Sequence, residues 1–189
     1  MNYTLRDDDI SKDTGIDLLK FIHNQFLTHH RTHTVALICK DLELNTSLVN
    51  YINKTHNWDL CIHGWDHINY SLASKDQIAE DLDKCILKIE ELFGVVPEKW
   101  YLPWNGWSPE KGFDLIPRVA DIALYHGVDV DNDCDHISHF VASAKDGVRP
   151  STSTIYFHSW DTEDLKLLPS LFYLTEKKIK HSSSLQELL

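Results

Sequence analysis

Apolar positions recur along this chain at two spacings that take turns. Over residues 17–26, Leu18, Leu19, Phe21, Ile22 and Phe26 make a stripe of helical period. Residues 34–39, Thr-Val-Ala-Leu-Ile-Cys, are a nearly continuous apolar run rich in β-branched side chains, which predicts a buried strand of a parallel sheet. Asn45-Thr46-Ser47 offers a helix N-cap ahead of Leu48, Val49, Tyr51 and Ile52. Trp58–Ile62 reads as a further short strand. Ser74 opens a long helical pattern through Ile78, Leu82, Cys85, Ile86, Ile89 and Phe93, with Gln77 fitting a capping box and Gly94 as the stop. The next strand is expected at 99–102, broken by Pro103, and Pro109 suits the first turn of a helix running to about Pro117. Residues 121–125 and 154–157 read as strands, and 163–178 as the last helix. Between Gly127 and Gly147 the pattern weakens and predicts no definite element. The polar run His29-His30-Arg31-Thr32-His33 reads as a solvated loop, and residues 182–189 as a loose tail.

Strand and helix thus alternate about six times, the pattern of parallel strands joined by right-handed helical crossovers. Polar residues with chemical potential fall just after the strands. Asp8 and Asp9 follow the extended run Tyr3-Thr4-Leu5, His63 follows Ile62, Trp104 and Asn105 follow the strand at 99–102, and His158 follows Phe157. In α/β barrels and open sheets alike, chemistry sits at the carboxyl ends of the strands.

A length of 189 residues suits one domain spanning the chain, and a hydrophobic fraction of 42% suits a soluble globular core. The net charge of -11 argues against a nucleic-acid backbone or an anionic membrane as partner and is compatible with a neutral sugar. Of the four cysteines, Cys39, Cys61 and Cys85 stand in apolar surroundings, and none forms a C-x-x-C pair with another or with Cys134. They read as reduced core cysteines of a cytoplasmic protein. No signal peptide and no apolar run of membrane-spanning length is visible.

His63-Gly64-Trp65-Asp66-His67 places two imidazoles four residues apart, on one face of a single helical turn, where both rings reach one point. Two nitrogen ligands make half a metal site, and Arg6-Asp7-Asp8-Asp9 supplies acidic partners. A triple Asp after a strand is equally the composition of a solvated turn or a helix N-cap. The sharper reading is that Asp9, His63 and His67 share a divalent cation, with coordination positions left open, while a neighbouring Asp does proton chemistry.

The order of these motifs resembles the polysaccharide deacetylase family, carbohydrate esterase family 4, which includes chitooligosaccharide deacetylases. The matching stretches are Arg6-Asp7-Asp8-Asp9, His63-Gly64-Trp65-Asp66-His67, Leu102-Pro103-Trp104-Asn105-Gly106 and Tyr156-Phe157-His158, spread from about Tyr3 to Phe172. The resemblance implies a distorted, incomplete (β/α) barrel and removal of an N-acetyl group from an amino sugar or glycan. It implies Asp8 as general base, Asp9, His63 and His67 as ligands of a divalent metal, and His158 as general acid. It further implies the backbone N–H of Trp104 as oxyanion donor and a substrate groove lined by Tyr101, Pro103, Trp104, Asn105, Tyr156 and Trp160. Two imidazoles and a carboxylate suit zinc, with cobalt or nickel as alternatives. The competing register makes Asp7 the base and Asp8 the ligand.

Three departures qualify the match. Ile10 follows the acidic pair where the family has Gly. Tyr101 stands where the family has an Arg that braces the base, so Arg6 is the candidate to replace it. The family's fourth motif, an Asp and a Trp, has no clean counterpart. In that region stand Asp129, Asp131, Asp133 and Asp135, spaced like a calcium loop but with Cys134 for the required Gly and Phe140 for the terminal Glu. They read as an acidic loop near the site. Two other functions fit the same pattern: a non-catalytic glycan-binding module on this fold, and a metal hydrolase acting on another amide or ester.

Overall fold

The computed structural model describes residues 3–108, 113–114, 116–131, 133–148 and 152–176. Seven strands form one sheet: β1 (Thr4–Ile10), β2 (His33–Leu37), β3 (Trp58–Ile62), β4 (Lys99–Trp100), β7 (Asp129–Val130), β8 (Cys134–His136) and β9 (Thr154–His158). Two short strands, β5 (Trp107–Ser108) and β6 (Phe113–Asp114), pair antiparallel beside it. The order in the main sheet is β7-β4-β3-β2-β1-β9-β8, and every pair is parallel. The sheet curls into an incomplete (β/α) barrel with β1 near its middle and with the short strands β7 and β8 as its edges.

The helices are α1 (Ile16–Thr28), α2 (Thr46–Lys54), α3 (Lys75–Phe93), α4 (Ile116–Tyr125), α5 (Ile137–Lys145) and α6 (Thr162–Glu176). The Asn45 side chain accepts from Leu48 N–H at 3.1 Å and Ser74 from Gln77 N–H at 3.1 Å, so both N-caps act as their sequences imply. Gly94 ends α3 at φ 69°, a conformation glycine adopts without steric cost. The apolar stripes of α2, α3 and α4 close one core against Val35, Leu37, Ile62 and Trp100. Those of α1, α5 and α6 close a second against Leu5, Ile155 and Phe157.

Four expectations change. Residues 121–125, expected as a strand, belong to α4, because Ile116, Val119 and Ala123 bring a helical stripe to the core. Pro117 is therefore the first-turn proline of that helix and not its end. The weakly patterned stretch between Gly127 and Gly147 holds β7, β8 and α5, whose strands are too short to show a period. His33 leaves the polar loop and begins β2, fully buried with its ring 4.0 Å from that of Phe26. Pro109 and the tail 182–189 lie outside the described residues. No helix among the described residues is long and apolar enough to cross a membrane.

Candidate active site and metal centre

The site begins with an irregularity in β1. Its register with β2 runs Arg6 to Thr34 and Asp7 to Val35, then jumps to Ile10 and Leu37. Three steps along β1 answer two along β2, so one residue is extra, which is a β-bulge. Asp9 sits in it at φ 63°, a left-handed conformation that Asp tolerates better than most residues. Regular alternation would send Asp7 and Asp9 to one face. The bulge separates them. Asp7 is fully buried on the far side, where its Oδ1 accepts the Ser159 N–H at 2.9 Å and its Oδ2 lies 3.5 Å from His33 Nε2. Burial, the main influence, pushes the Asp7 carboxyl well above its usual range. Asp9 turns instead toward the end of β3.

There His63 and His67 meet it from a loop and not from the helical turn their spacing suggested. Gly64 makes the loop possible. It stands at φ 94°, and a Cβ on it would come within 3.1 Å of the Tyr70 hydroxyl. His63 Nδ1 is 2.7 Å from the Tyr101 carbonyl oxygen. A carbonyl only accepts, so Nδ1 carries the proton and neutral His63 presents a bare Nε2 lone pair. That Nε2 lies 3.2 Å from Asp9 Oδ1, and His67 Nε2 lies 3.1 Å from the same oxygen. The Trp160 indole N–H donates to Asp9 Oδ2 at 3.2 Å, which leaves Oδ1 for the imidazoles. Oδ1 is buried and receives no hydrogen bond from the described residues.

An acceptor oxygen facing two imidazole nitrogens without a donor is satisfied by a cation placed between them or by protons on the rings. Ligand atoms about 2.0–2.1 Å from a tetrahedral zinc ion stand about 3.3 Å apart. The Asp9–His63 and Asp9–His67 separations match that edge, so these three side chains fit a divalent cation. Burial of Asp9 pushes its pKa up, but protons and positive charge on the His63 and His67 rings outweigh this and hold it ionised far below the usual carboxylate range; with the rings neutral, a cation between them would do the same.

Arg6 and Asp8 lie on the barrel side of β1, both almost fully buried. The guanidinium binds the carboxylate through two bonds, Nε to Oδ1 at 2.5 Å and Nη2 to Oδ2 at 2.6 Å. Nη2 also donates to Asn105 Oδ1 at 2.8 Å. The guanidinium carbon lies 4.1 Å over the Tyr101 ring and 5.3 Å from that of Tyr156. Tyr101, expected in the groove wall, is instead fully buried and serves as the bed for Arg6. Asp8 is thus braced by a guanidinium from its own strand.

His158 ends β9 with its Nε2 3.9 Å from Asp9 Oδ2. Its other face meets Asp164, a buried residue in the first turn of α6. Asp164 Oδ2 accepts the His158 backbone N–H at 2.9 Å and lies 3.3 Å from His158 Nδ1 and 3.1 Å from His136 Nε2. Neither Asp164 nor His136 stands out in the sequence. An acid in the first turn of a helix is ordinary dipole compensation, so nothing local marks Asp164.

The remaining candidates divide. Pro103 is buried beside Gly64. Trp104 at φ 60° and Asn105 at φ 50° form a strained turn after β4 that leaves Trp104 58% exposed next to His67. Trp160 is 62% exposed with its ring 4.9 Å from that of His158, and Tyr156 lies between Arg6 and His136. Two indoles therefore stand in solvent on either side of the cluster. The acidic run is occupied with structural bonds: Asp131 accepts from the Thr154 hydroxyl, Asp133 from the Ser153 N–H, and Asp135 pairs with His139.

The family described as polysaccharide deacetylase matches residues 13–112 of this chain. No curated protein matches it in sequence. Among solved structures, a CE4 family pseudoenzyme from Bacillus anthracis is similar at a TM-score of 0.68 and 15% identity, over 93% of this chain and 60% of that one. A peptidoglycan deacetylase from Bacillus subtilis gives 0.66 at 13% identity, over 91% and 81%. A family 4 acetyl xylan esterase from Clostridium thermocellum, in complex with a cobalt ion, gives 0.61 at 18% identity, over 89% and 82%. At these identities the likeness is one of fold, and the chain spans 60% of the length of the Bacillus anthracis protein.

Proposed function

Because the chain belongs to the polysaccharide deacetylase family, we propose that it is a metal-dependent hydrolase that removes N-acetyl groups from an amino sugar or glycan. The observation that carries this is the buried Asp9 Oδ1, which faces His63 and His67 Nε2 with no donor to satisfy it. These three residues would hold the ion, and zinc, cobalt or nickel suits them. When bound, a divalent cation there supplies Lewis acidity toward the acyl oxygen and toward water.

The chain's own residues do the rest. Asp8 is the base that takes a proton from the attacking water, and Arg6 fixes both its oxygens so that it does not turn away. Asp164 holds the His158 proton on Nδ1 and so turns Nε2 to the site, where the protonated ring gives its proton to the departing amine. The Trp104 N–H, on its left-handed turn, is the donor to the oxyanion. Trp104 and Trp160 offer apolar faces to a sugar ring.

The fold likeness to a peptidoglycan N-acetylglucosamine deacetylase supports an N-acetylated glycan as substrate, and the cobalt ion bound by the acetyl xylan esterase supports a metal. The test is to purify the protein, measure its metal content and screen acetylated amino sugars for released acetate, with and without chelator. Full activity in excess chelator would sink the proposal.

The likeness to a pseudoenzyme favours a second reading, a glycan-binding module without turnover. Bound metal and bound glycan with no acetate released would establish it. Turnover of small amides or esters, with acetylated sugars untouched, would point to a hydrolase of other bonds.

A further inference from the structure

His136, His158 and Asp164 form a second group whose ligand atoms all lie within 4.8 Å of one another. Its carboxylate-to-imidazole separations, 3.1 and 3.3 Å, match the edge of a zinc tetrahedron as closely as those of the Asp9 group. His136 and His158 are partly exposed, so an ion has a way in. We propose that this group is a second, weaker transition-metal site, and that an ion held there stops turnover by taking His158. The second half rests on the reading of His158 as general acid.

In its metal-free form the group is held by hydrogen bonds to Asp164 Oδ2. Loading it requires two imidazoles to move their protons. His136 can send its own to Nδ1, where Ser138 Oγ lies 2.8 Å away and can accept, at the cost of the long cap bond that Nδ1 accepts from the Ser138 N–H. His158 moves its proton to Nε2. With Nδ1 on an ion, His158 can carry no second ring proton, so it has none to give except by becoming an imidazolate. Asp164 keeps the His158 backbone N–H throughout and stays in place. The hydrogen bonds displaced make the second site roughly 10–100-fold weaker than the first.

The test is calorimetric titration of the metal-free chain with Zn²⁺ through several equivalents, in parallel with acetate release. His136 caps α5 by accepting the Ser138 N–H, so His136→Asn removes a ligand while keeping a capping acceptor. The wild type is expected to bind two ions and His136→Asn one, with the tighter ion unchanged. Zinc beyond the first equivalent is expected to suppress turnover in the wild type and to spare the variant. If His136→Asn fails to fold, His136→Gln replaces it, and the wild-type stoichiometry decides by itself. A single ion on the wild type, or two on the folded variant, overturns the site. Two ions with undiminished turnover overturn its inhibitory role. Two ions on a protein inactive at every zinc level would uphold the site and remove the deacetylase reading instead.

Discussion

The centre of Asp9, His63 and His67 and the group of His136, His158 and Asp164 contain the same three side chains at nearly the same separations, yet their protons are distributed differently. In the first, His63 spends its proton on the Tyr101 carbonyl, and Asp9 Oδ1 receives nothing. In the second, a backbone N–H points at the carboxylate and the ring nitrogens lie at hydrogen-bonding distance. Composition and spacing therefore do not set how tightly such a group holds a metal. What decides is whether the lone pairs already have donors, because an unsatisfied buried acceptor gains most from a cation.

The two centres separate most visibly when the acidic run of β1 is altered. Asp9→Asn and His63→Ala should lose metal and activity together, whereas Asp8→Asn should keep the ion and lose roughly 10²–10⁴-fold in turnover. Asp7→Asn should change turnover little. Metal retained in Asp9→Asn but lost in Asp8→Asn would shift the whole assignment by one residue. On the other side of the comparison, His158→Ala should also keep the tight ion while turnover falls roughly 10²–10⁴-fold. Near-normal rates would reduce this histidine to packing.

Supporting contacts should give smaller effects. Asp164→Asn still accepts the His158 N–H but no longer offers a carboxylate to Nδ1. A fall of about 10–100-fold in kcat with little change in KM is expected, and a change confined to KM would mean that Asp164 shapes the groove instead. Trp160→Phe keeps a ring and loses the indole N–H to Asp9. Zinc affinity, read by competition with a chromophoric chelator, should weaken by up to about 10-fold. Unchanged affinity would leave Trp160 as a sugar platform alone.

A third group of the same composition sharpens the point. Asp7, His33 and His23 are buried away from solvent, with His23 3.6 Å from the Trp58 ring and 3.4 Å from His33. Burial lowers His33 to about 3, and burial with the neighbouring His33 lowers His23 to about 4, from an ordinary 6.5. As pH falls below about 6.5 the unfolded chain takes protons at these residues and the folded chain does not, so this contribution destabilises the fold progressively down to about pH 4. The raised Asp7 works in the opposite sense, so the useful quantity is a difference. Between pH 6.5 and 4 the melting temperature of the wild type should drop further than that of His33→Phe. Parallel curves would mean that His33 does not titrate as its burial demands.

Much of the fold was legible because it depends on periodicity. The stripes of α1, α2 and α3, the caps Asn45, Ser74 and Gly94, and the strand Trp58–Ile62 all stand where apolar spacing and cap chemistry put them. Residues 121–125 did not, since five residues are too few to separate a helix face from a strand. The candidate site was legible as an ordered set of motifs at strand ends, and Asp9, His63 and His67 do come together.

Sequence alone determined that Asp8, Asp9, His63 and His158 reach the carboxyl end of the sheet, because the strands that carry them show in the hydrophobic pattern. It did not determine where those side chains aim. That depended on the bulge at Asp9, the left-handed turn at Trp104 and Asn105, and the φ of Gly64, each a torsion stabilised by neighbours distant in the chain. It also did not determine their partners. Arg6 meets Asp8 over Tyr101, Asp164 meets His158 from the next helix, and His33 lies among Phe26 and Trp58. A charged or polar letter carries no record of whether folding will bury it, so its protonation and its role were settled only by tertiary packing.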